Sequence, residues 1–124
     1  MKVVIIGKGE MLSNLIEGTL SAGCEIVGVL RYEKTVMPPL LLKLRDFFKT
    51  SYEVTLIKNK KIHEINCKSA NSKEFKNELI KLNADILLVG TWREKLKKDI
   101  IDTPTIASVN VHPSFLPKYR GPNP

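Results

Sequence analysis

The fold is decided by the stretch Lys2-Val3-Val4-Ile5-Ile6-Gly7-Lys8-Gly9-Glu10, in which a buried strand runs through a glycine turn into a helix. Val3 to Ile6 is an unbroken β-branched run, typical of a strand buried on both faces of a parallel sheet. Apolar residues then recur at helical spacing, at Met11, Leu12, Leu15, Ile16 and Leu20. The helix stops at Ala22-Gly23, where glycine can adopt a left-handed cap. This is the first half of a β-α-β unit.

Strand and helix patterns alternate along the rest of the chain. We predict further strands at Glu25–Leu30, Ile62–Asn66, Asp85–Val89 and Ala107–Val111. We predict further helices at Pro38–Lys49, Tyr52–Asn59, Ser72–Leu82 and Arg93–Lys98. A strand on residues 54–57 stays open as the alternative to the second of these helices, since periodicity cannot separate the two over so short a run. The alternation indicates an open α/β sheet of the doubly wound kind.

The helix predicted at Ser72–Leu82 has recognisable ends. Ser72 can accept a hydrogen bond from a backbone N–H as the N-cap, and Asn83 can adopt the left-handed conformation of a C-cap. We expect one buried face, made of Phe75, Leu79, Ile80 and Leu82.

Composition bounds the class of protein. A chain of 124 residues, 43% of them hydrophobic, is the size of one domain with a real core. Twenty Lys and Arg against thirteen Asp and Glu give a net charge of +7, which favours anionic partners such as phosphates or nucleic acid. The lysines lack interleaved aromatic residues, so we favour a solvated surface over a nucleic-acid interface, which stays open as the alternative.

Cysteine spacing and the N-terminal run bear on the cellular compartment. Cys24 and Cys67 are far apart and neither belongs to a Cys-x-x-Cys motif, so reduced thiols are the simplest interpretation. The apolar run at residues 3–6 is far too short for a signal-peptide core or a membrane span. We expect a soluble cytoplasmic protein without membrane attachment.

Ligands of open α/β sheets bind beyond the carboxyl ends of the strands. Three segments fall there: Gly7-Lys8-Gly9-Glu10, Gly90-Thr91-Trp92 and the segment from Asn110. The first matches a dinucleotide-binding sequence only weakly, because Leu12 stands where a third glycine belongs. Arg31 could hold the 2′-phosphate of such a cofactor, although an exposed arginine at a strand end is commonplace.

His63 and Cys67 are close enough in the sequence to suggest metal ligands. A metal site needs at least one more ligand within reach, and none is apparent in the sequence. We expect His63 at the surface and no metal. Trp92, the single tryptophan, either offers an apolar wall to a flat ring or anchors its loop to the core.

Asn110 and His112 are the strongest candidates for chemistry. They alternate at the end of a predicted strand, so both side chains leave the same face, and Pro113 ends that strand. An asparagine amide can donate to an oxygen that becomes negative, and an imidazole can exchange protons near neutral pH. The pair suits acyl transfer to an amine. The alternative is a buried polar pair that ties the strand end to the next loop.

A long motif carries a family resemblance. The segment Asn110-Val111-His112-Pro113-Ser114-Phe115-Leu116-Pro117-Lys118-Tyr119-Arg120-Gly121 resembles the signature of the formyltransferases that use 10-formyltetrahydrofolate. That family includes methionyl-tRNA, glycinamide ribonucleotide and sugar N-formyltransferases. The order of elements is similar to its N-terminal Rossmann-like domain over essentially the whole chain. The resemblance implies a mostly parallel sheet with helices on both faces, and formyl transfer from 10-formyltetrahydrofolate to an amine acceptor that it does not identify.

The resemblance also implies roles for individual residues. Asn110 and His112 would be two members of a catalytic Asn, His and Asp set. The segment Ser114-Phe115-Leu116-Pro117 would form the turn beside the folate, with Phe115 in place of the usual leucine. The segment Gly90-Thr91-Trp92-Arg93 would border the pterin pocket. The folate is then the cosubstrate, and no metal is involved.

One departure limits what the chain is expected to do alone. The family's aspartate follows the histidine by some tens of residues, whereas the sequence ends at Pro124, and Asp99 and Asp102 precede the motif. We expect residues 1–124 to be a truncated domain, incomplete on its C-terminal side and nearly inactive. It would self-associate or need a complementing segment. A non-catalytic folate- or partner-binding module and a formyltetrahydrofolate hydrolase stay open as alternatives.

Overall fold

Four parallel strands form the sheet in the computed structural model, which describes residues 1–112. In that range the strands are β1 (Lys2–Gly7), β2 (Glu25–Arg31), β3 (Ile86–Gly90) and β4 (Ala107–Val111). They are hydrogen-bonded in the order β2-β1-β3-β4, and every neighbouring pair is parallel. The open parallel sheet predicted from the sequence is confirmed.

Helices connect the strands. Within residues 1–112 they are α1 (Gly9–Ser21), α2 (Glu33–Val36), α3 (Pro39–Phe48), α4 (Tyr52–Asn59), α5 (Lys73–Lys81) and α6 (Lys98–Ile101). The helix at residues 52–59 is confirmed over its strand alternative. The single turn α2, which the sequence did not indicate, joins β2 to the proline-initiated α3.

The central strand β1 is buried on both faces. Val3 and Ile5 pack with residues of α1 and α4, whereas Val4 and Ile6 pack on the other side with Phe75 of α5. Successive side chains of a strand point to opposite faces, so this division places helices on both faces of the sheet, as predicted. Each fully buried isoleucine stabilises the fold by roughly 1.5–3 kcal/mol.

The predicted helix ends are confirmed where a cap was identified. Gly23 and Asn83 have positive φ values of 79° and 52° after α1 and α5. The Ser72 hydroxyl oxygen accepts a hydrogen bond from the Phe75 N–H at 3.2 Å. Ile80, however, is 56% exposed, so its predicted place on the buried face of α5 is wrong. It follows Leu79 directly, and one residue turns a helix by about 100°, away from the core.

The strand predicted at Ile62–Asn66 is wrong. One isolated bridge joins Val29 and Glu64 there, with Val29 donating to the His63 carbonyl and Ile65 donating to the Val29 carbonyl. Ile65 is buried against the sheet at 1% exposure. The alternating polarity of residues 62–66 therefore arises from the inward side chain of Ile65 at a single bridge, without a strand.

The helix predicted at Arg93–Lys98 is also wrong, because α6 begins only at Lys98. The preceding backbone bonds to side chains instead. Asn71 accepts a hydrogen bond from the Lys97 N–H and donates one to the Lys95 carbonyl, at 2.8 and 3.0 Å. A partner 24 or more residues earlier in the chain thus takes the bonds that a helix would have made.

Apolar side chains remain exposed near both sides of the sheet. On α3 the exposed residues are Leu40, Leu41, Leu44, Phe47 and Phe48. Val109, in the edge strand β4 of the sheet described for residues 1–112, is 43% exposed. No helix in the described range has the length and apolar composition needed to span a bilayer.

The carboxyl ends of β1 and β3 approach more closely than side chains would allow. Gly7 and Gly90 are register partners, and a Cβ added to Gly7 would lie 2.7 Å from the Gly90 carbonyl oxygen. A Cβ on Gly90 would lie 2.6 Å from Leu15 Cδ1 of α1. Real Cβ atoms essentially never make contacts this short. At Gly7 the obstructing atom is a backbone oxygen, so that position requires glycine, whereas a side chain at position 90 would force Leu15 and Met11 of α1 to shift.

Substitution Gly7→Ala should destabilise the fold by about 1–3 kcal/mol, because the obstructing atom is a backbone oxygen that cannot move aside. The matched control is Gly18→Ala, in α1, where an added Cβ meets nothing within 4 Å. That control should stabilise the protein by about 0.5–1 kcal/mol. Urea unfolding of both variants checks the prediction, and a shift of equal sign in both would contradict it.

At the opposite edge of the sheet, where the strands begin, Asp85 links β1 to the segment that leads into β4. Its carboxylate accepts hydrogen bonds from the Lys2 N–H at 2.8 Å and from the Thr105 hydroxyl at 2.7 Å. The bond from the Lys2 N–H, followed by that from Thr105, lowers the pKa of the Asp85 carboxyl below its ordinary value. The ionised form is therefore favoured by folding.

We expect the stabilising effect of Asp85 to depend on pH. Because its pKa is lower in the folded chain, the effect is fully present above the unfolded value of roughly 3.9 and is lost as pH falls through the folded value. Asp85→Asn should therefore lower stability at neutral pH, and its difference from the wild type should shrink in acid. Urea unfolding across this range measures the difference, with exposed Glu25→Gln as control. A difference that is constant with pH would contradict the assignment.

Candidate functional site

The strand ends from which the predicted ligand-binding segments start lie at one edge of the sheet. All strands are parallel, so β1, β3 and β4 end at the same edge, at Gly7, Gly90 and Val111. The register pairs Gly7 with Gly90 and Gly90 with Val111, which places the three ends side by side. The described residues that follow these ends, Lys8, Thr91 and His112, therefore start from one rim of the sheet.

Asn110 and Trp92 line a common cavity of about 350 Å³ at this rim. Asn110 lies in β4 opposite Val89, and Trp92 belongs to the loop after β3. The other lining residues are Val89, Glu94, Lys95, Leu96, Ile101, Ser108 and Val109. Apolar walls with a few polar groups are typical of sites that receive a flat organic ring.

His112 follows the last residue of β4 and is half-buried. It stands two positions beyond Asn110, at the carboxyl end of the same strand. The predicted folate turn Ser114-Phe115-Leu116-Pro117 lies outside the described residues. The structure thus brings Asn110 to a cavity, while the roles of His112 and of this turn stay predictions.

Trp92 both lines a cavity and anchors its loop to the core, the two positions that the sequence left open as alternatives. Its ring packs edge-on against Tyr32, with 5.2 Å between ring centroids and planes at 88°, and it also contacts the core cluster around Val4. The indole N–H is buried without a hydrogen-bond partner among the described residues. Within residues 1–112 the ring itself is therefore held by packing rather than by a hydrogen bond, and it lines the cavity as well.

The loop that contains Trp92 separates two cavities. Thr91 and Arg93 line a second one, of about 340 Å³, together with Lys8, Gly9 and Tyr32. Thr91 has a φ of 56°, which is unfavourable for a β-branched residue and is found mainly where surrounding structure imposes it. The segment predicted to border the pterin pocket therefore turns sharply and offers side chains to both cavities.

Arg31 does not have the exposed position expected from the sequence. It is 3% exposed and pairs with Asp46 at 2.8 Å and with Glu64. Burial by itself would lower the pKa of the Arg31 guanidinium, but the hydrogen bonds to Asp46 and Glu64 outweigh it and raise that pKa above its ordinary value. Committed to two carboxylates, Arg31 joins β2 to α3 rather than offering a phosphate site.

The residues considered for a metal do not converge. His63 is exposed and its Nε2 lies 3.4 Å from Glu78 Oε2. Cys67 is half-buried, and burial raises the pKa of its thiol, which disfavours the thiolate that binds metals. Among residues 1–112 no group of three or more His, Cys, Asp or Glu side chains could hold a metal ion.

Two residues near the cavities had no signal in the sequence. Tyr32 packs against Trp92, and Glu94 bonds to Ser69 and Ala70. Their partners are 24 to 60 residues away along the chain, and periodicity describes only neighbours within one element. Only the fold reveals them.

Comparison with known proteins places this geometry in a family. A family model described as formyl transferase matches residues 1–124. Methionyl-tRNA formyltransferase of Thermotoga sp. (strain RQ2) is 27% identical over 124 residues, which cover all of this chain and 38% of that protein. Methionyl-tRNA formyltransferase of Clostridioides difficile is 28% identical over 132 residues, again with 38% of its length covered.

Solved structures share the fold. Phosphoribosylglycinamide formyltransferase from Bacillus halodurans matches with a TM-score of 0.69 at 17% identity, over 98% of this chain and 60% of that one. Glycinamide ribonucleotide transformylase 1 from Symbiobacterium toebii gives 0.68 at 14%, over 98% and 55%. The chain spans 38% of the length of the Thermotoga relative. Since the family model matches its whole length, the chain belongs to the formyl transferase family.

Proposed function

We propose that residues 1–124 form the donor-binding part of an enzyme that transfers a formyl group from 10-formyltetrahydrofolate to an amine. The observation that carries the proposal is the position of Asn110, which lines an apolar-walled cavity with Trp92 at the carboxyl edge of the sheet. The match of the family model over the whole chain supports the same reaction class. The acceptor is an amine of tRNA-linked methionine, an amino sugar or another small amine.

The donor's flat ring fits the apolar part of the cavity. Trp92 and Leu96 come from the loop after β3, and Val89 comes from the strand itself. An aromatic wall supplies contact area at little cost in side-chain entropy, because tryptophan has few rotatable bonds. The proposed turn at residues 114–117 would close the other side of this ring.

Formyl transfer needs stabilisation of one negative oxygen and movement of one proton. The amine nitrogen attacks the formyl carbon, a C–N bond forms, and the carbonyl oxygen becomes negative. The Asn110 amide donates a hydrogen bond to that oxygen, which is the role of an oxyanion-hole group. The bond from the formyl carbon to the folate nitrogen then breaks. His112 transfers the proton that the attacking amine loses to the departing folate nitrogen.

The family resemblance adds an aspartate to this pair, and we propose that sequence outside residues 1–124 supplies it. The chain covers only 38% of the Thermotoga relative, which leaves ample length for such a residue. A carboxylate that orients a catalytic histidine contributes orders of magnitude to the rate. The 124-residue chain therefore binds the donor but turns it over slowly.

Donor binding can be measured through Trp92, because it is the single tryptophan. Addition of a stable reduced-folate analogue should change the fluorescence emission of Trp92 in a saturable way, since the flat ring of the analogue enters the cavity that Trp92 lines. Asn110→Ala should retain most of this binding, because its hydrogen bond strengthens only as the oxygen becomes charged. An emission that does not respond to the analogue at millimolar concentration would contradict donor binding at this cavity.

Catalysis can be tested by fusing the chain to the downstream segment of a methionyl-tRNA formyltransferase relative. Residues 1–124 alone should transfer formyl groups barely above background, and the fusion should restore transfer. Within the fusion, Asn110→Ala and His112→Ala should each lower kcat by about 10²–10³. Exposed Asn77→Ala, on α5, is the matched control and should leave kcat unchanged. Full activity of the 124-residue chain, or of either site variant, would contradict the assigned roles.

A further inference from the structure

The loop after β3 is attached to the core by one carboxylate. Glu94 accepts a hydrogen bond from the Ser69 hydroxyl and another, at 3.0 Å, from the Ala70 N–H. Ala70 is fully buried in the cluster that contains Val4 and Phe75. Hydrogen bonds to an ionised acceptor are about twice as strong as neutral ones, so this attachment is a firm one.

Asn71 provides a second attachment in the same place. Its side-chain amide bonds to the Lys95 carbonyl and the Lys97 N–H, and its own N–H donates to Ser69 Oγ at 3.0 Å. The turn at residues 69–71 therefore holds residues 94–97 through side chains at both ends. With no helix between Thr91 and Lys97, the path of this loop depends on these side-chain bonds.

The attached loop carries one wall of the cavity. Trp92, Glu94 and Leu96 all line it, together with Asn110 of β4. Trp92 is only two residues from Glu94, and its indole N–H has no hydrogen-bond partner in the described part of the chain. Besides packing against Tyr32 and the core, the indole thus depends on the path of a loop that the Glu94 carboxylate ties to Ser69 and Ala70.

We propose that Glu94 is a positioning residue, which fixes Trp92 and thereby the width of the cavity across from Asn110. It acts through the loop backbone rather than by contact with reacting atoms. That the cavity receives the folate ring rests on the proposed function, whereas the fixing of Trp92 does not. Glu94 is thus the link between the buried turn at Ala70 and the candidate site.

The test compares Glu94→Ala with Glu94→Gln in the 124-residue chain. The alanine variant loses both hydrogen bonds, so we expect loss of the near-ultraviolet dichroism of Trp92 and easier quenching of its emission by acrylamide. We expect affinity for the reduced-folate analogue to weaken about tenfold. Glutamine keeps an oxygen for the Ala70 N–H and an amide that the Ser69 hydroxyl can accept from, so it should restore most of both signals.

Glu25→Ala is the matched control, because it removes an exposed carboxylate at the amino end of β2. It should change neither the Trp92 signals nor the affinity. Ser69→Ala removes one of the two bonds to Glu94 and should give an intermediate result, which keeps the test decisive if Glu94→Ala does not fold. Unchanged Trp92 dichroism and quenching in a folded Glu94→Ala variant would overturn the proposal. A wild-type chain that binds no analogue would count against the proposed function instead, while the ligand-free Trp92 signals still decide the role of Glu94.

Discussion

The contact between Gly7 and Gly90 is the constraint on which the rest of the structure depends. Where β1 and β3 end, a side chain at position 7 would collide with the Gly90 carbonyl oxygen, and one at position 90 would displace Leu15 and Met11 of α1. Helix α1 begins just after β1, at Gly9, and Gly7 and Gly90 stand in register at the strand ends. The loops that form the candidate site start from these ends, so their positions follow from this contact.

Polar residues at this edge of the sheet fall into two groups: those bonded to other parts of the chain, and those exposed along a cavity wall. Arg31 is buried between two carboxylates, and Glu94 is bonded to a hydroxyl and a backbone N–H. Buried charges in proteins are paired in this way because an unpaired one is expensive to desolvate. Asn110, by contrast, is exposed along a cavity wall, where the proposed function requires a group that meets the donor.

Much of the fold could be predicted from the sequence. Strand β1 and helix α1 can be predicted because each has its own pattern of apolar residues, a continuous run for the strand and helical spacing for the helix, and neither pattern is interrupted. The errors fall where the backbone bonds to distant partners. Ile62–Asn66 makes a single bridge to Val29, and the loop before Lys98 bonds to Asn71, so local patterns suggested a strand and a helix that do not form.

The sequence by itself determined the parallel α/β fold, the strand that carries Asn110 and the edge of the sheet where the candidate site lies, because each depends on short-range periodicity and on the known geometry of parallel sheets. Tertiary structure alone decided that Trp92 and Asn110 line one cavity, that Arg31 pairs with Asp46 and Glu64, and that Glu94 attaches the loop after β3 to Ala70. The residues in these pairs are 15 to 33 positions apart along the chain. Such pairs meet only after the strands have been placed side by side, so no local pattern of residues encodes them.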